Sequence, residues 1–251
     1  MSWLRTKGLR FFLKIGGYLF LIGATAFGIA YFTTDIPDPK DYVNSQATII
    51  QYANGDEIGR IGAQNRTIIP LAKIPIELRH AVLAAEDKNF YSQGAFNPLG
   101  MLRGAINTVL GKGLQGGSTI TQQYAKTAFL SSERTIQRKI IELVIAIKLE
   151  NQLSKDQIFE DYLNTIYFGR GAYGVETGAQ VYFGRSADQL SIAQAAVLAA
   201  ILRSPGYYDP DFREGNKERL MARYKYVLDN MVDEGWLEKS RAEKQIGRAH
   251  V

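Results

Sequence analysis

Residues 138–150 read RKIIELVIAIKLE, and how this run is read decides the fold. Ile140, Ile141, Leu143, Val144, Ile145 and Ile147 leave few positions that face water, and the spacing predicts a helix over 135–151. On such a helix Arg138 lies one turn before Glu142 on the same face. A glutamate in this company is either a local ion pair or a working carboxylate, and spacing alone does not fix its protonation state.

The stretch before it carries GGSTITQQYAK over 116–126, with Lys126, Arg134, Arg138 and Lys139 forming a compact basic set. Gly116 and Gly117 let backbone approach a ligand closely, and Ser118, Thr119, Gln122 and Gln123 offer hydrogen bonds to sugar or phosphate oxygens. The glycines are not followed by the Lys-Ser or Lys-Thr of a phosphate-binding Walker loop. Further upstream AVLAAEDKNF over 81–90 places Glu86 near the end of an alanine-rich helix. Two separated carboxylates can handle proton transfer and developing positive charge at a sugar carbon. A cationic patch between them can hold a departing phosphate. Transfer of a sugar from a phosphate carrier is the chemistry this set suggests. The plain alternatives are a surface carboxylate at 86 and a solvated charge run at 126–139.

Near the N-terminus, IGGYLFLIGATAFGIAYF over 15–32 has no charged residue, and Phe11 to Leu13 extend it past Lys14. That length spans a bilayer core. Arg5, Lys7, Arg10 and Lys14 precede it without an acidic residue, which predicts a cytoplasmic N-terminus and an extracytoplasmic body. Gly28-Ile29-Ala30, followed by Tyr31 and Phe32, is a weak cleavage site, so the segment reads as an uncleaved anchor. The net charge of +5 comes mostly from those four basic residues, and the rest is nearly balanced, which gives no support to a nucleic-acid surface. With no cysteine, disulfides and thiolate metal sites are excluded, and His80 and His250 are too isolated to make a histidine metal site.

The remaining chain, about 215 residues, is enough for one substantial core. DIPDPK over 35–40 is a proline-broken linker, and TIIQYANGDEIGRI over 48–61 centres a hairpin on Asn54-Gly55. Helix is expected from Ile76, from Ser118 or Thr119, and after the capping boxes Ser154–Gln157 and Ser191–Gln194. Ser204-Pro205-Gly206 is expected to stop the alanine-rich helix before it. A last helix is expected over 216–233, ending near Gly235. Between 91 and 117 a short helix between loops is expected. Gly169, Gly171, Gly174 and Gly178 point to tight turns or close packing among aromatics, and Asn164 to a supporting or capping role.

Taken together, these motifs closely resemble the peptidoglycan glycosyltransferase domain of class A penicillin-binding proteins and monofunctional cell-wall polymerases. The likeness is dispersed over 85–210. It is carried by Glu86-Asp87 with Phe90, then Gly117-Ser118-Thr119-Ile120-Thr121-Gln122-Gln123, then Arg138-Lys139, Glu142, Ala146 and Leu149-Glu150. Tyr162-Leu163-Asn164, Gly169, Gly174, Tyr182-Phe183-Gly184, Pro205 and Pro210 complete it. Gln93, Ala95 and Asn97 stand where the family commonly has His, Gly and Asp. Gly178 stands for a usual alanine and Arg185 for a usual lysine.

The resemblance implies a mainly α, lysozyme-like, two-lobed domain with a small N-terminal β-hairpin and one transmembrane helix. Its expected divisions are a cytoplasmic 1–10, an anchor 11–34, linker and hairpin 35–61, the catalytic domain 62–235 and a tail 236–251. It implies polymerisation of lipid II into β-1,4-linked glycan with inversion, Glu86 as general base and Glu142 at the donor side. Substrate contacts carry over to Asp87, Phe90, Gly117, Ser118, Thr119, Gln122, Gln123, Lys126, Arg134, Arg138, Lys139 and Asn164. No cofactor is obligatory, and a divalent cation such as Mg2+ at the pyrophosphate is compatible, with no metal ligand assigned. Implied partners are lipid II, the growing glycan, the bacterial cytoplasmic membrane and other cell-wall synthesis proteins, with no nucleic acid. Phe96, Leu99, Met101, Leu102, Val109, Leu110 and Leu114 are expected to form an apolar rim toward the membrane. A membrane-bound lytic enzyme and a non-catalytic scaffold are the other readings. The absence of Ser-x-x-Lys and Lys-Thr-Gly means that no transpeptidase motif lies in this sequence. IGRAHV at 246–251 is no obvious stopping point, which fits either the front part of a longer bifunctional enzyme or a monofunctional protein.

Overall fold

The computed structural model describes residues 2–36, 48–51, 57–61, 67–98, 100, 117–130 and 135–246. Helix dominates. α1 (Ser2–Thr33) contains one span, Lys14–Thr33, long and apolar enough to cross a membrane, and none of that span is buried against the rest of the chain. β1 (Thr48–Gln51) and β2 (Glu57–Ile61) pair antiparallel, with Thr48 opposite Ile61 and a bulge between Ile50 and Gln51. The Asn54-Gly55 turn expected between them lies outside the described residues, as do Arg134, Gly116 and the rim positions from Leu99 to Leu114. Phe96, the first rim residue, is exposed.

The body is built from α2 (Ile76–Glu86), α3 (Ile120–Phe129), α4 (Ile136–Gln152) and α5 (Lys155–Thr165), followed by α6 (Val175–Phe183) and α7 (Ile192–Leu202). After them come α8 (Pro205–Tyr208), α9 (Asn216–Asp233) and α10 (Lys239–Ile246). Each capping box in this set satisfies two backbone donors that a helix start would otherwise leave bare. Ser154–Gln157 and Ser191–Gln194 form as expected, and Thr119–Gln122 adds a third at the head of α3.

α7 is apolar all round. From Ala195 to Leu202 every residue is buried, and its alanines let α2 and α9 pack closely against it. A second group joins α3 to both α4 and α5, while α6 touches both groups. The two packed sets of helices therefore share α6 as a neighbour, and α2 ends at Glu86.

Three details differ from the sequence reading. Pro205 does not simply stop α7. It opens α8 as the first helical residue, where its missing N–H costs nothing. Glycines 169–174 make a second small hairpin, β3 (Tyr167–Gly169) with β4 (Ala172–Tyr173). At its end Gly174 has φ +81°, and a Cβ there would lie 2.8 Å from the Asn164 carbonyl oxygen. The glycine is thus required both by conformation and by space. Finally, α9 is not the last helix. Leu237 and Ala242 are buried in the common core, and the Tyr224 hydroxyl donates to the Gln245 carbonyl at 3.1 Å. The core therefore runs past residue 235, because the turn at Gly235 (φ +71°) folds α10 back onto α9.

Candidate active site

Glu86 is the last residue of α2, and its side chain is only 2% accessible. Burying a carboxylate so deeply is costly unless it is paired and hydrogen-bonded. Three other elements supply the partners. From α9, Arg223 Nη2 donates to Glu86 Oε1 at 3.1 Å and to the Ala85 carbonyl at 2.6 Å. Arg203, just past α7, brings its Nη1 within 3.9 Å of Oε2. From α3, Gln123 Nε2 donates to Oε2 at 3.0 Å. Gln123 is itself oriented, because the Tyr162 hydroxyl donates to its Oε1 at 3.2 Å. Burial, followed by the charges of Glu86 and Asp87, raises the Tyr162 phenol well above its ordinary value, so it stays a donor. The Arg223 guanidinium also lies 4.6 Å from the centre of the Tyr226 ring.

A cleft of about 460 Å3 opens at this point. Glu86, Asp87, Arg203, Tyr208, Arg223, Tyr226 and Asn230 line it, together with Gln93, Asn97, Gly100, Gly117, Ser118 and Thr119 from the stretch before α3. Asp87 ties the end of α2 to the head of α3, since its Oδ2 accepts the Ile120 N–H at 3.0 Å. Burial pushes the Asp87 carboxyl up to about 6, against the lowering effect of that hydrogen bond and of Lys155.

The second glutamate stands behind Ser118. Glu142, also 2% accessible, is paired with Arg138 at 3.4 Å and, more tightly, with Lys139. Lys139 Nζ reaches Ser118 Oγ at 3.2 Å. The basic set is thereby tied to the cleft wall through one hydroxyl. Lys139 is itself 41% accessible, so it can turn toward a ligand. Arg138 keeps a buried Nε without a hydrogen-bond partner.

The sequence-predicted residues thus divide by location. Glu86, Asp87, Gly117, Ser118 and Thr119 meet in the cleft, Gln123 reaches Glu86, and Arg138, Lys139 and Glu142 cluster beside it. Lys126 is exposed on α3. Three expected contact residues are not among those that line the cleft. Phe90 is a core residue packed on Phe159, with Lys155 over its ring at 4.5 Å. Gln122 gives its Oε1 to the α3 capping box, while its buried Nε2 has no hydrogen-bond partner. Asn164 accepts from the Ile69 N–H and donates to the Ile69 carbonyl, pinning that segment to α5. Arg203, Arg223, Tyr226 and Asn230 went unforeseen. The faint signal was a lone arginine closing an otherwise apolar helix at 203, and arginines one turn apart at 219 and 223.

Among the described residues, no three His, Asp or Glu side chains stand together as a metal cage. Among the described residues Glu142 is the carboxylate paired with Arg138 and Lys139, and a cation beside it would need further oxygen ligands.

Residues 54–232 match the transglycosylase family. The chain belongs to that family. Among its relatives, penicillin-binding protein 1A of Mycolicibacterium smegmatis is 42% identical over 233 residues, covering 90% of this chain and 29% of that one. Penicillin-binding protein 1A of Aquifex aeolicus is 42% identical over 218 residues, covering 85% and 30%. A solved structure, penicillin-binding protein 1A from Haemophilus influenzae, shares 23% identity over 80% of this chain and 20% of its own, with a TM-score of 0.44. The transglycosylase match takes in every cleft residue named above. The chain spans less than a third of the length of the curated relatives it matches.

Proposed function

We propose that this chain is a membrane-anchored peptidoglycan glycosyltransferase that joins lipid II units into β-1,4-linked glycan. The observation that carries the reading is Glu86, a buried carboxylate at a cleft whose two oxygens already accept hydrogen bonds from Arg223 and Gln123. Each carboxylate oxygen has a second lone pair, so Glu86 can still accept a hydroxyl proton beside these donors. The body is read as lysozyme-like and two-lobed, facing outward from an anchor whose basic N-terminal flank stays in the cytoplasm.

In this scheme the acceptor sugar's 4-hydroxyl lies against Glu86, which takes its proton as the oxygen attacks the donor's anomeric carbon. The bond from that carbon to the pyrophosphate oxygen breaks, its electron pair leaves with the phosphate, and the configuration inverts. Arg138 and Lys139, with Ser118, hold the negative charge that gathers on the leaving group. Lys126 and Arg134 add to the same field. Glu142 keeps the two cations in place before the donor arrives, and its own interaction with the phosphate passes through them. A divalent cation, where present, would neutralise phosphate charge between Glu142 and the substrate. The anchor keeps the cleft at the surface where the polyprenyl tail is held.

Labelled lipid II in detergent or liposomes, with products compared before and after muramidase digestion, tests this. Wild type is expected to give muramidase-sensitive chains and a folded Glu86→Gln variant none. Cleavage of preformed glycan with no action on lipid II would establish the lytic reading instead. Binding of lipid II without chain formation, unchanged in Glu86→Gln, would establish a scaffold.

A further inference from the structure

Gln93 and Asn97 line the cleft, yet neither has a part in the chemistry set out above. Their side chains are joined in a row. The Gly100 N–H donates to Asn97 Oδ1 at 2.8 Å, Asn97 Nδ2 donates to Gln93 Oε1 at 2.9 Å, and Gln93 Nε2 donates to Asp87 Oδ1. An amide has a donor end and an acceptor end, so such a row has a direction. Here both ends of the row fix that direction. The Gly100 N–H can only donate, which turns the Asn97 oxygen toward it. At the other end an ionised Asp87 can only accept, which turns the Gln93 nitrogen toward it. Gly100 also lies close against the amide, since a Cβ there would come within 3.0 Å of Asn97 Cγ.

The segment is fastened at two further points. Lys155 Nζ donates to the Gln93 carbonyl at 2.7 Å, and Thr119 Oγ1 donates to the Ala95 carbonyl at 2.8 Å. Thr119 is the N-cap of α3, and the other Asp87 oxygen receives the first N–H of that helix. One carboxylate, adjacent in sequence to Glu86, therefore collects the 93–100 segment and the head of the helix that carries Gln123.

We propose that Gln93 and Asn97 are positioning residues forming one directed amide relay, which, with the Ile120 N–H, fastens Gln93, Asn97, Gly100 and the start of α3 onto Asp87 and so keeps these cleft-lining groups in fixed positions around it. A consequence is that positions 93 and 97 are chemically coupled, so that a change of polarity at one demands a matching change at the other. A carboxylate at 97 would still accept from Gly100 but would have nothing to donate to Gln93. Gln93 would then have to turn its nitrogen to 97 and its oxygen to Asp87, setting two acceptors face to face. An imidazole at 93 has two nitrogens facing opposite ways. Neutral, it can donate to Asp87 and accept from Asn97. Protonated, it can donate to carboxylates on both sides.

The test is a cycle of Asn97→Asp, Gln93→His and the double variant in the full chain, read by lipid II polymerisation at saturating and limiting substrate and by thermal midpoint in detergent. Coupling between directly bonded residues in one network leads us to expect Asn97→Asp to lower chain formation about tenfold. Gln93→His is expected to remain within about threefold of wild type, and adding it to Asn97→Asp to restore most of the loss. The polymerisation readout rests on the glycosyltransferase reading, whereas the thermal midpoints do not. If wild type forms no chains, rescue of the Asn97→Asp midpoint by Gln93→His still establishes the relay. Additive losses in both readouts, or a silent Asn97→Asp, would overturn it.

Discussion

Glu86 and Glu142 are buried to the same extent, with 2% of each side chain accessible, and each faces two cations, yet those cations arrive by opposite routes. Those of Glu142 stand three and four residues before it on the same helix. Those of Glu86 come from the end of α7 and the middle of α9, more than a hundred residues along the chain. The local set depends on α4 alone and includes a lysine that can swing to solvent. The distant set exists only when α2, α3, α7 and α9 are all docked. One carboxylate thus holds an adjustable charge cluster suited to a ligand that comes and goes. The other sits in a fixed socket suited to a single proton transfer.

That contrast is broken most severely at Glu86, the proposed proton acceptor. Glu86→Gln keeps the shape and the contact with Arg223 but cannot take a proton, and loss of a general base lowers rate by about 10²–10⁴-fold. Polymer formation per folded molecule is the measurement. Glu142→Gln removes the countercharge of Arg138 and Lys139, and should raise the donor KM more than it lowers kcat. Equal kcat losses from the two variants would erase the proposed division of labour.

Arg223→Ala should follow in size, acting on stability as well as rate. It leaves Glu86 and the Ala85 carbonyl without their shared donor, and removing one member of a buried pair costs about 3–5 kcal/mol. A fall in the thermal midpoint of the detergent-solubilised chain reads this directly. Arg223→Lys keeps the charge but has one point of attachment instead of a planar fork, so it should recover only part of the loss.

The same contrast explains how much the sequence disclosed. Helices at 76–86, 136–152 and 216–233 were legible because their apolar residues recur at helical spacing, and two capping boxes marked helix starts. The Glu142 cluster was legible for the same reason, since an i, i+4 pair is written in the sequence. Arg223 was not, because nothing near it announces that it will meet residue 86. Phe90 and Asn164 were assigned to substrate contact by likeness, and nothing in the sequence says that Phe90 packs on Phe159 or that Asn164 bonds the Ile69 backbone. The β3–β4 hairpin was missed because its strands are three and two residues long and carry little alternation. What reveals it is the run of positive-φ glycines at 169, 171 and 174.

Asp87 sharpens the comparison from between the two sites. Burial raises its folded carboxyl to about 6 from an ordinary 3.8, so the folded chain holds the proton more tightly than the unfolded chain. Its stabilising contribution is therefore complete below the unfolded value and is lost as pH rises through about 6. Within that window the loss is about 1.4 kcal/mol per pH unit. Asp87→Asn abolishes this dependence, so the midpoint of the variant should gain on wild type between pH 4 and 6 and run parallel to it above. A difference that stays constant across the window would mean that Asp87 does not titrate there.

The smallest effect belongs to Lys139, and it tests whether the adjustable cluster is adjustable. Its side chain is 41% accessible and its ammonium bridges Glu142 and Ser118, so Lys139→Ala removes a partly solvated contact that Arg138 can partly replace. Exposed ion pairs are worth about 0–1 kcal/mol, and the thermal midpoint should scarcely move. Phosphate binding should suffer more, with donor KM rising about fivefold at low ionic strength and the difference narrowing as salt screens the charge. Arg223→Ala should show the opposite pattern, with a large shift in midpoint that salt barely alters, because its charge pair is shielded from ions by the fold. If Lys139→Ala lowered the midpoint as far as Arg223→Ala and ignored salt, the two carboxylates would be sockets of one kind, and the release of a phosphate would need another explanation.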